Sequence, residues 1–207
     1  MPSASRSAAL PWGDGRRVRR RHELLAIASE LFATDGYAGV TMDDIGEAAG
    51  VSGPALYHHF ESKEAMLGEM LVGISEHLLS VGKDITAHTD RANRLDALVE
   101  MHIDFAVDRR ALITVHFRDL VQASDSDQRR VHDLQRAYVD LWVDALLHLR
   151  PALGPRVGRA AVHATFGLIN STPISGRLRR DDMVRVLRCM ADGAMSGLGN
   201  YAAAAAG

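Results

Sequence analysis

The stretch TMDDIGEAAGVSGPALYHHF, from Thr41 to Phe60, holds two helix starts in close succession and constrains the fold more tightly than any other part of the chain. Thr41 supplies an N-cap oxygen, and Asp43 and Asp44 fall in the first turn, where the helix dipole favours negative charge. Ile45, Ala48 and Ala49 then form an apolar stripe that stops at Gly50. Ser52 is the next N-cap, and Pro54 stands where a missing N–H costs nothing, so a second short helix is predicted through Leu56, Tyr57 and Phe60. Two short helices joined at a steep angle by a glycine turn let the second lie in the major groove of DNA while the first crosses the backbone. Leu56 and Phe60 are expected to face inward. Ser52, Gly53, Ala55, Tyr57, His58 and His59 then face outward, the small residues permitting close approach and the Tyr57 hydroxyl and His58 imidazole suiting phosphate contacts. The alternative is an ordinary core tyrosine beside an ordinary polar face. None of these side chains is an Arg or Asn fork, so base discrimination is expected from few direct hydrogen bonds, thymine methyls and DNA shape.

Helical periodicity runs through the rest of the chain. Leu24, Leu25, Ala28, Leu31 and Phe32 recur at three- and four-residue steps after Arg21, up to the exit at Asp35-Gly36. Behind the cap Ser62, Leu67, Met70, Leu71, Ile74, Leu78, Val81 and Ile85 trace one long helix. The pattern returns in 95–105, 112–121, 131–149, 157–169 and 183–198, with breaks composed as turns between them. No stretch alternates with the period of a strand. An all-α protein of about nine helices is predicted, with a boundary inside the fourth.

With 47% hydrophobic residues in 207, the chain has ample material for a core. The single cysteine, Cys189, excludes an internal disulfide and any multi-cysteine metal site. No run approaches the length of a membrane span, so a cytoplasmic protein with no membrane partner is expected. The net charge of -2 conceals a basic cluster, Arg16, Arg17, Arg19, Arg20 and Arg21, which is either a solvated arm or a polyanion contact. The ten histidines form no H-x-x-x-H pair, which argues against a metal site, and no cofactor is expected. Ser171, His163 and Asp192 lack a nucleophile elbow, and neither a phosphate loop nor a carboxylate pair accompanies them, so catalysis is not expected.

The segment GYAGVTMDDIGEAAGVSGPALYHHFESKEAM closely resembles the N-terminal signature of the TetR/AcrR family of transcriptional regulators, over residues 24–67. The resemblance implies an all-α homodimer, usually a repressor, with three N-terminal helices on double-stranded operator DNA and a larger helical half holding a small-molecule effector. It implies phosphate contacts for Thr41, Tyr57, His58 and Lys63 and places Ser52, Gly53, Pro54 and Ala55 at the groove. Pro54 departs from the hydroxyl or basic residue common there, which removes one direct base contact. The resemblance also implies that Arg19 and Arg20, just ahead of the first helix, reach an adjacent minor groove. The corresponding organisation is a disordered arm at 1–15, a helix-turn-helix domain at 16–65, a ligand-binding and dimerisation domain at 66–200 and a frayed tail at 201–207.

The larger half resembles the family weakly. Its apolar faces are interrupted by His102, Phe105, His116, Phe117, Tyr138, Trp142, His163, Phe166 and Asn170, which would supply the convergent groups of an effector cavity if their helices surround one space; packing aromatics and satisfied core histidines are the alternative. The segment FGLINSTPISG resembles the C-terminal part of some TetR relatives associated with acyl-chain or other lipid-like effectors, and a small, largely apolar effector is expected. The helix holding Ala160, Ala161, Val162, Ala164, Phe166, Leu168 and Ile169, together with Met183, Leu187, Met190, Ala194 and Leu198, is the expected dimer face. A near-palindromic operator would follow from its two-fold symmetry. The competing function is a DNA-binding dimer that acts constitutively or under a protein partner.

Overall fold

The computed structural model describes residues 16–175 and 178–205, with side chains from 19 to 175 and from 178 to 198. Among the described residues there are nine α-helices and no strand: α1 Arg16–Asp35, α2 Met42–Ala48, α3 Gly53–Tyr57, α4 Lys63–His88, α5 Arg94–Asp108, α6 Arg110–Asp119, α7 Asp125–Leu149, α8 Gly154–Ile169 and α9 Arg180–Ala205.

Several helices run longer than the apolar stripes that announced them. α1 begins at Arg16, so the arginine cluster lies inside the helix rather than on an arm ahead of it. Arginine is a good helix former and no breaker separates Arg16 from Glu23, so nothing stops the helix from starting early. The expected arm at 1–15 lies outside the described residues. α9 likewise continues over alanines to Ala205, through most of the expected tail; 206–207 lie outside the described residues. α3 is shorter than expected, closing at Tyr57 with His58 as its C-cap.

The caps read from sequence are present. The Thr41 side chain accepts from the Asp44 backbone N–H at 3.1 Å while Asp44 Oδ2 accepts from the Thr41 N–H at 2.8 Å, a reciprocal capping box. Ser62 accepts from Ala65 N–H at 3.0 Å and starts α4.

Two hydrophobic clusters fill the molecule. The first gathers Leu24, Phe32, Ile45, Leu56, Phe60, Leu67 and Leu71 and extends to Leu112 and Val115 of α6 and Val131 of α7. The second holds Leu98, Ile103, Trp142, Leu146, Val162, Ile169, Met183 and Leu187. Helix α4 feeds both, with Met66 to Ile74 in the first and Leu79 in the second. The three N-terminal helices therefore share apolar contacts with α4, α6 and α7.

Candidate functional site

The α2–α3 unit is a tight angle built on two glycines. Gly50 adopts φ +65°, a left-handed turn that a side chain disfavours. Gly46 lies inside α2, and a Cβ there would meet the Val51 carbonyl oxygen at 2.9 Å, so its absence lets the second helix cross close to the first. The sequence pattern gives no sign of this role for Gly46, because a glycine inside a helical stretch reads only as a weak point.

Leu56 and Phe60 are buried, at 0% and 2% exposure, while Tyr57 is 54% exposed and Ser52, Pro54 and His58 are exposed beside it. Gly53 and Ala55 are half-buried on the same short helix, and Thr41 is exposed at the start of α2. This head thus presents an outer face of small and hydroxyl- or imidazole-bearing groups.

The basic residues divide. Arg19 is exposed on α1. Arg20 donates to the Ala49 carbonyl at 2.7 Å and pairs with Glu23, and so ties α1 to the end of α2. Arg21 pairs with Glu69, donates to the His59 carbonyl and lies 4.2 Å over the Phe60 ring, bolting α1, the end of α3 and α4 together. Lys63 is turned inward as well: its Nζ donates to the Tyr37 and Val40 carbonyls at 2.8 and 2.7 Å and lies 4.3 Å over the Tyr37 ring. In this structure Arg20 and Lys63 close backbone carbonyls, a use that residue type alone does not announce.

In the larger half, one cavity of about 290 Å³ lies among α4, α5, α6, α7 and α8. His102 and Phe105 reach it from α5, His116 and Phe117 from α6, Tyr138 from α7, His163 and Phe166 from α8, and Asn170 from the C-cap of α8. Phe117 is 67% exposed and His163 and Gly167 are also exposed, so they form its rim. Trp142 is the exception among the expected lining residues. It is fully buried behind the cavity, with its ring edge-on to Phe166 at 4.7 Å, because its position on α7 turns it into the second hydrophobic cluster. Ile74, Ser75, Leu78, Leu112, Ile113, Gln135, Val139 and Gly167 also line the space. As aliphatic, small or amide residues on regular helical faces they carried no distinguishing signal.

One wall is a fixed polar chain. Asn170 Oδ1 can only accept, so His102 Nε2–H donates to it at 3.2 Å, and the neutral ring's Nδ1 accepts from the Tyr138 hydroxyl at 3.2 Å. Tyr138 stacks on Phe166 with ring centroids 5.6 Å apart. Burial pushes the His102 imidazole down to about 4, opposed by its bond to Asn170, and burial raises the Tyr138 phenol above its ordinary value. His116, in contact with Gln135 at 2.8 Å, is also held below its ordinary value, by burial and then by the nearby His132.

A pH dependence follows from His102. Its folded-state pKa lies below the unfolded value near 6.5, so its contribution to stability is full above that value and is lost as the pH falls toward the folded pKa. The loss reaches about 3 kcal/mol near pH 4 by linkage. The variant His102→Gln should show a correspondingly shallower fall in denaturant midpoint over this interval than the parent. Equal slopes in the two proteins would mean that His102 titrates normally in the fold.

The expected dimer face needs correction. Val162, Ile169, Met183 and Leu187 are buried inside the protomer, and Phe166 belongs to the cavity wall, because α8 packs its apolar side on α7 and α9 packs on α5. What remains outside is a stripe of small and apolar residues: Ala160, Ala164 and Gly167 on α8, with Val186, Met190, Gly193, Ala194 and Gly197 on α9. A Cβ added at Gly167, Gly193 or Gly197 would meet nothing within 4 Å.

Comparison with known proteins agrees with this geometry. Residues 24–70 match the bacterial regulatory proteins of the tetR family, and residues 88–174 match a tetracyclin repressor-like C-terminal domain. The chain is 35% identical over 130 residues to the HTH-type transcriptional repressor KstR2 of Rhodococcus jostii, covering 61% of this chain and 63% of that protein. It is 34% identical over 136 residues to KstR2 of Mycobacterium tuberculosis, covering 64% and 67%. The chain belongs to the TetR family. Its fold superimposes on the solved ketosteroid transcriptional regulator KstR2 of Mycobacterium tuberculosis with a TM-score of 0.73 at 25% identity, over 91% of this chain and 98% of that one. TetR-family membership carries the character of a DNA-binding regulator, not of an enzyme. Among the described residues no helix is long and apolar enough to cross a membrane, and no group of three or more His, Cys, Asp or Glu side chains is placed to hold a metal.

Proposed function

We propose that this TetR-family chain is a cytoplasmic homodimeric repressor that binds a near-palindromic operator through α2 and α3 and releases it when a small, largely apolar effector enters the cavity among α4 to α8. On the DNA side the proposed contacts are Thr41, Ser52, Gly53, Pro54, Ala55, Tyr57 and His58, with Arg19 supplying positive charge from the first turns of α1. The α8–α9 stripe is the proposed two-fold face. The repressor relatives from Rhodococcus and Mycobacterium support the direction of control.

The observation that carries this reading is the position of α6. Leu112, Ile113, His116 and Phe117 line the cavity, while Arg118, on the same short helix, donates to the Phe32 and Ala33 carbonyls at the C-terminal end of α1 and pairs with Asp119. A ligand that displaces α6 therefore moves the end of α1, and with it the core on which α2 and α3 rest. Helix α4 offers a second path, since Ile74 lines the cavity and packs in the first hydrophobic cluster. An effector shifts the equilibrium between DNA-competent and released arrangements by its difference in affinity for the two.

The test is an anisotropy titration of an operator duplex with and without bound effector. In the parent, effector binding weakens the operator complex by about 5- to 150-fold, the usual range of allosteric coupling. In Arg118→Gln, effector binding measured by calorimetry is retained while that factor shrinks toward one. A full response in the variant would show that the signal does not pass through Arg118.

A further inference from the structure

Resting on the reading of the cavity as an effector site, we propose that the part of the effector held there is electrically neutral: a compact, largely apolar molecule that presents a carbonyl oxygen to Asn170 and carries no carboxylate, phosphate or ammonium inside. The argument begins with what the wall lacks. Among the described lining residues there is no Asp, Glu, Lys or Arg. Of the charges on the same helices, Asp104 and Asp108 of α5 are both taken by Arg180, and Asp140 of α7 pairs with Arg159. Burial pushes both inner imidazoles of the wall, His102 and His116, toward their uncharged forms. An ion entering this space would lose its hydration with no opposite charge to meet it, which is far costlier than burying a neutral polar group that finds a hydrogen bond.

The remaining polar groups define what a neutral ligand would meet. His102 and Tyr138 satisfy each other, and Asn170 Oδ1 is occupied by His102. That bond fixes the amide so that Nδ2–H is left for a guest, and His116, whose Nε2 accepts from the Gln135 amide, keeps a buried and unpartnered Nδ1–H in the same lining; an N–H donor calls for an oxygen acceptor. The rest of the wall is mostly aliphatic and aromatic carbon, Leu112, Ile113, Phe105 and Phe166 among it, which suits an apolar body on the guest. At about 290 Å³ the cavity is at the small end of ligand sites.

A matched pair of probes isolates the charge. 2-Acetylnaphthalene and 2-naphthoate share the ring and the carbonyl and differ by a methyl against an ionised oxygen, since a carboxylic acid is deprotonated at neutral pH. Calorimetry on the full chain should show the ketone binding at least about tenfold more tightly than the acid. Asn170→Leu should weaken the ketone several-fold, and Gln135→Arg, which places a cation at the cavity wall, should reverse the preference in favour of naphthoate. Equal or tighter binding of naphthoate to the parent, or failure of the ketone to bind at about 1 mM, would overturn the proposal. Operator affinity measured with the ketone bound separates the two readings. A bound ketone that leaves the operator complex unchanged counts against effector control and leaves the neutral cavity standing; a preference for naphthoate does the reverse.

Discussion

Gly193→Arg should leave each protomer folded, convert the dimer to monomer and lower operator affinity about a hundredfold. Gly193 is exposed in α9 and a Cβ there meets nothing within 4 Å, so an arginine starts into open space and gains somewhat less than the ~1 kcal/mol of helix propensity that separates alanine from glycine. On the proposed α8–α9 two-fold face the substitution would recur on both copies, placing two guanidinium groups on a surface of alanines and glycines. A monomer contacts one half-site, and losing half of a specific interface costs on the order of 2–5 kcal/mol of the usual 4–10. The signature is a raised or unchanged melting temperature at low concentration together with halved mass by light scattering. Leu187→Arg makes the control: at 3% exposure in the protomer core it should unfold the chain, not merely divide it.

Gly46→Leu should abolish specific operator binding while the larger half stays folded and dimeric. Leucine is the better helix former by roughly 1 kcal/mol, so propensity alone would stabilise α2. Against this, the new Cβ would lie 2.9 Å from the Val51 carbonyl oxygen and 3.3 Å from the Gly53 nitrogen, both backbone atoms that cannot swing aside. Relief requires α3 to move off α2, at a cost of about 1–3 kcal/mol typical of overpacking, and a recognition helix displaced by even an ångström no longer meets the groove with Tyr57 and His58. Dimer mass and helical circular dichroism should be nearly unchanged, since Gly46 lies outside the hydrophobic cluster of the larger half. Retained operator affinity would show that the α2–α3 angle does not govern DNA binding.

The all-α fold and the order of its elements were legible because helix punctuation is local. Thr41, Ser52 and Ser62 announce their helices through oxygens that act within one turn, and each does so in the structure. Helix lengths were less legible: α1 and α9 extend through arginines and alanines, which favour helix without contributing an apolar stripe. Cavity residues were readable where an aromatic or imidazole interrupted an aliphatic face, as at His102, His116 and Phe166, which the structure gathers around one space. Trp142 shows the limit of that signal, since a ring on the same stripe can point into the core as readily as into a cavity. The destinations of Arg20, Arg21 and Lys63 were not readable, because they end on carbonyls and a carboxylate supplied by residues far along the chain. The exposed α8–α9 stripe was hidden for a related reason: which side of an all-round apolar helix faces its own protomer is decided by tertiary packing, and the larger side chains of Val162, Ile169, Met183 and Leu187 took the inner positions.

Operator affinity as a function of cavity occupancy tests the central claim most directly. With a cavity ligand of known affinity, saturating concentrations should raise the operator dissociation constant by some factor, and saturating operator should raise the ligand dissociation constant by the same factor, as linkage requires. Two equal factors, each of about five or more, are the result this account predicts. A ligand that occupies the cavity, verified by its weakened binding to Asn170→Leu, and yet leaves operator affinity unchanged would contradict it.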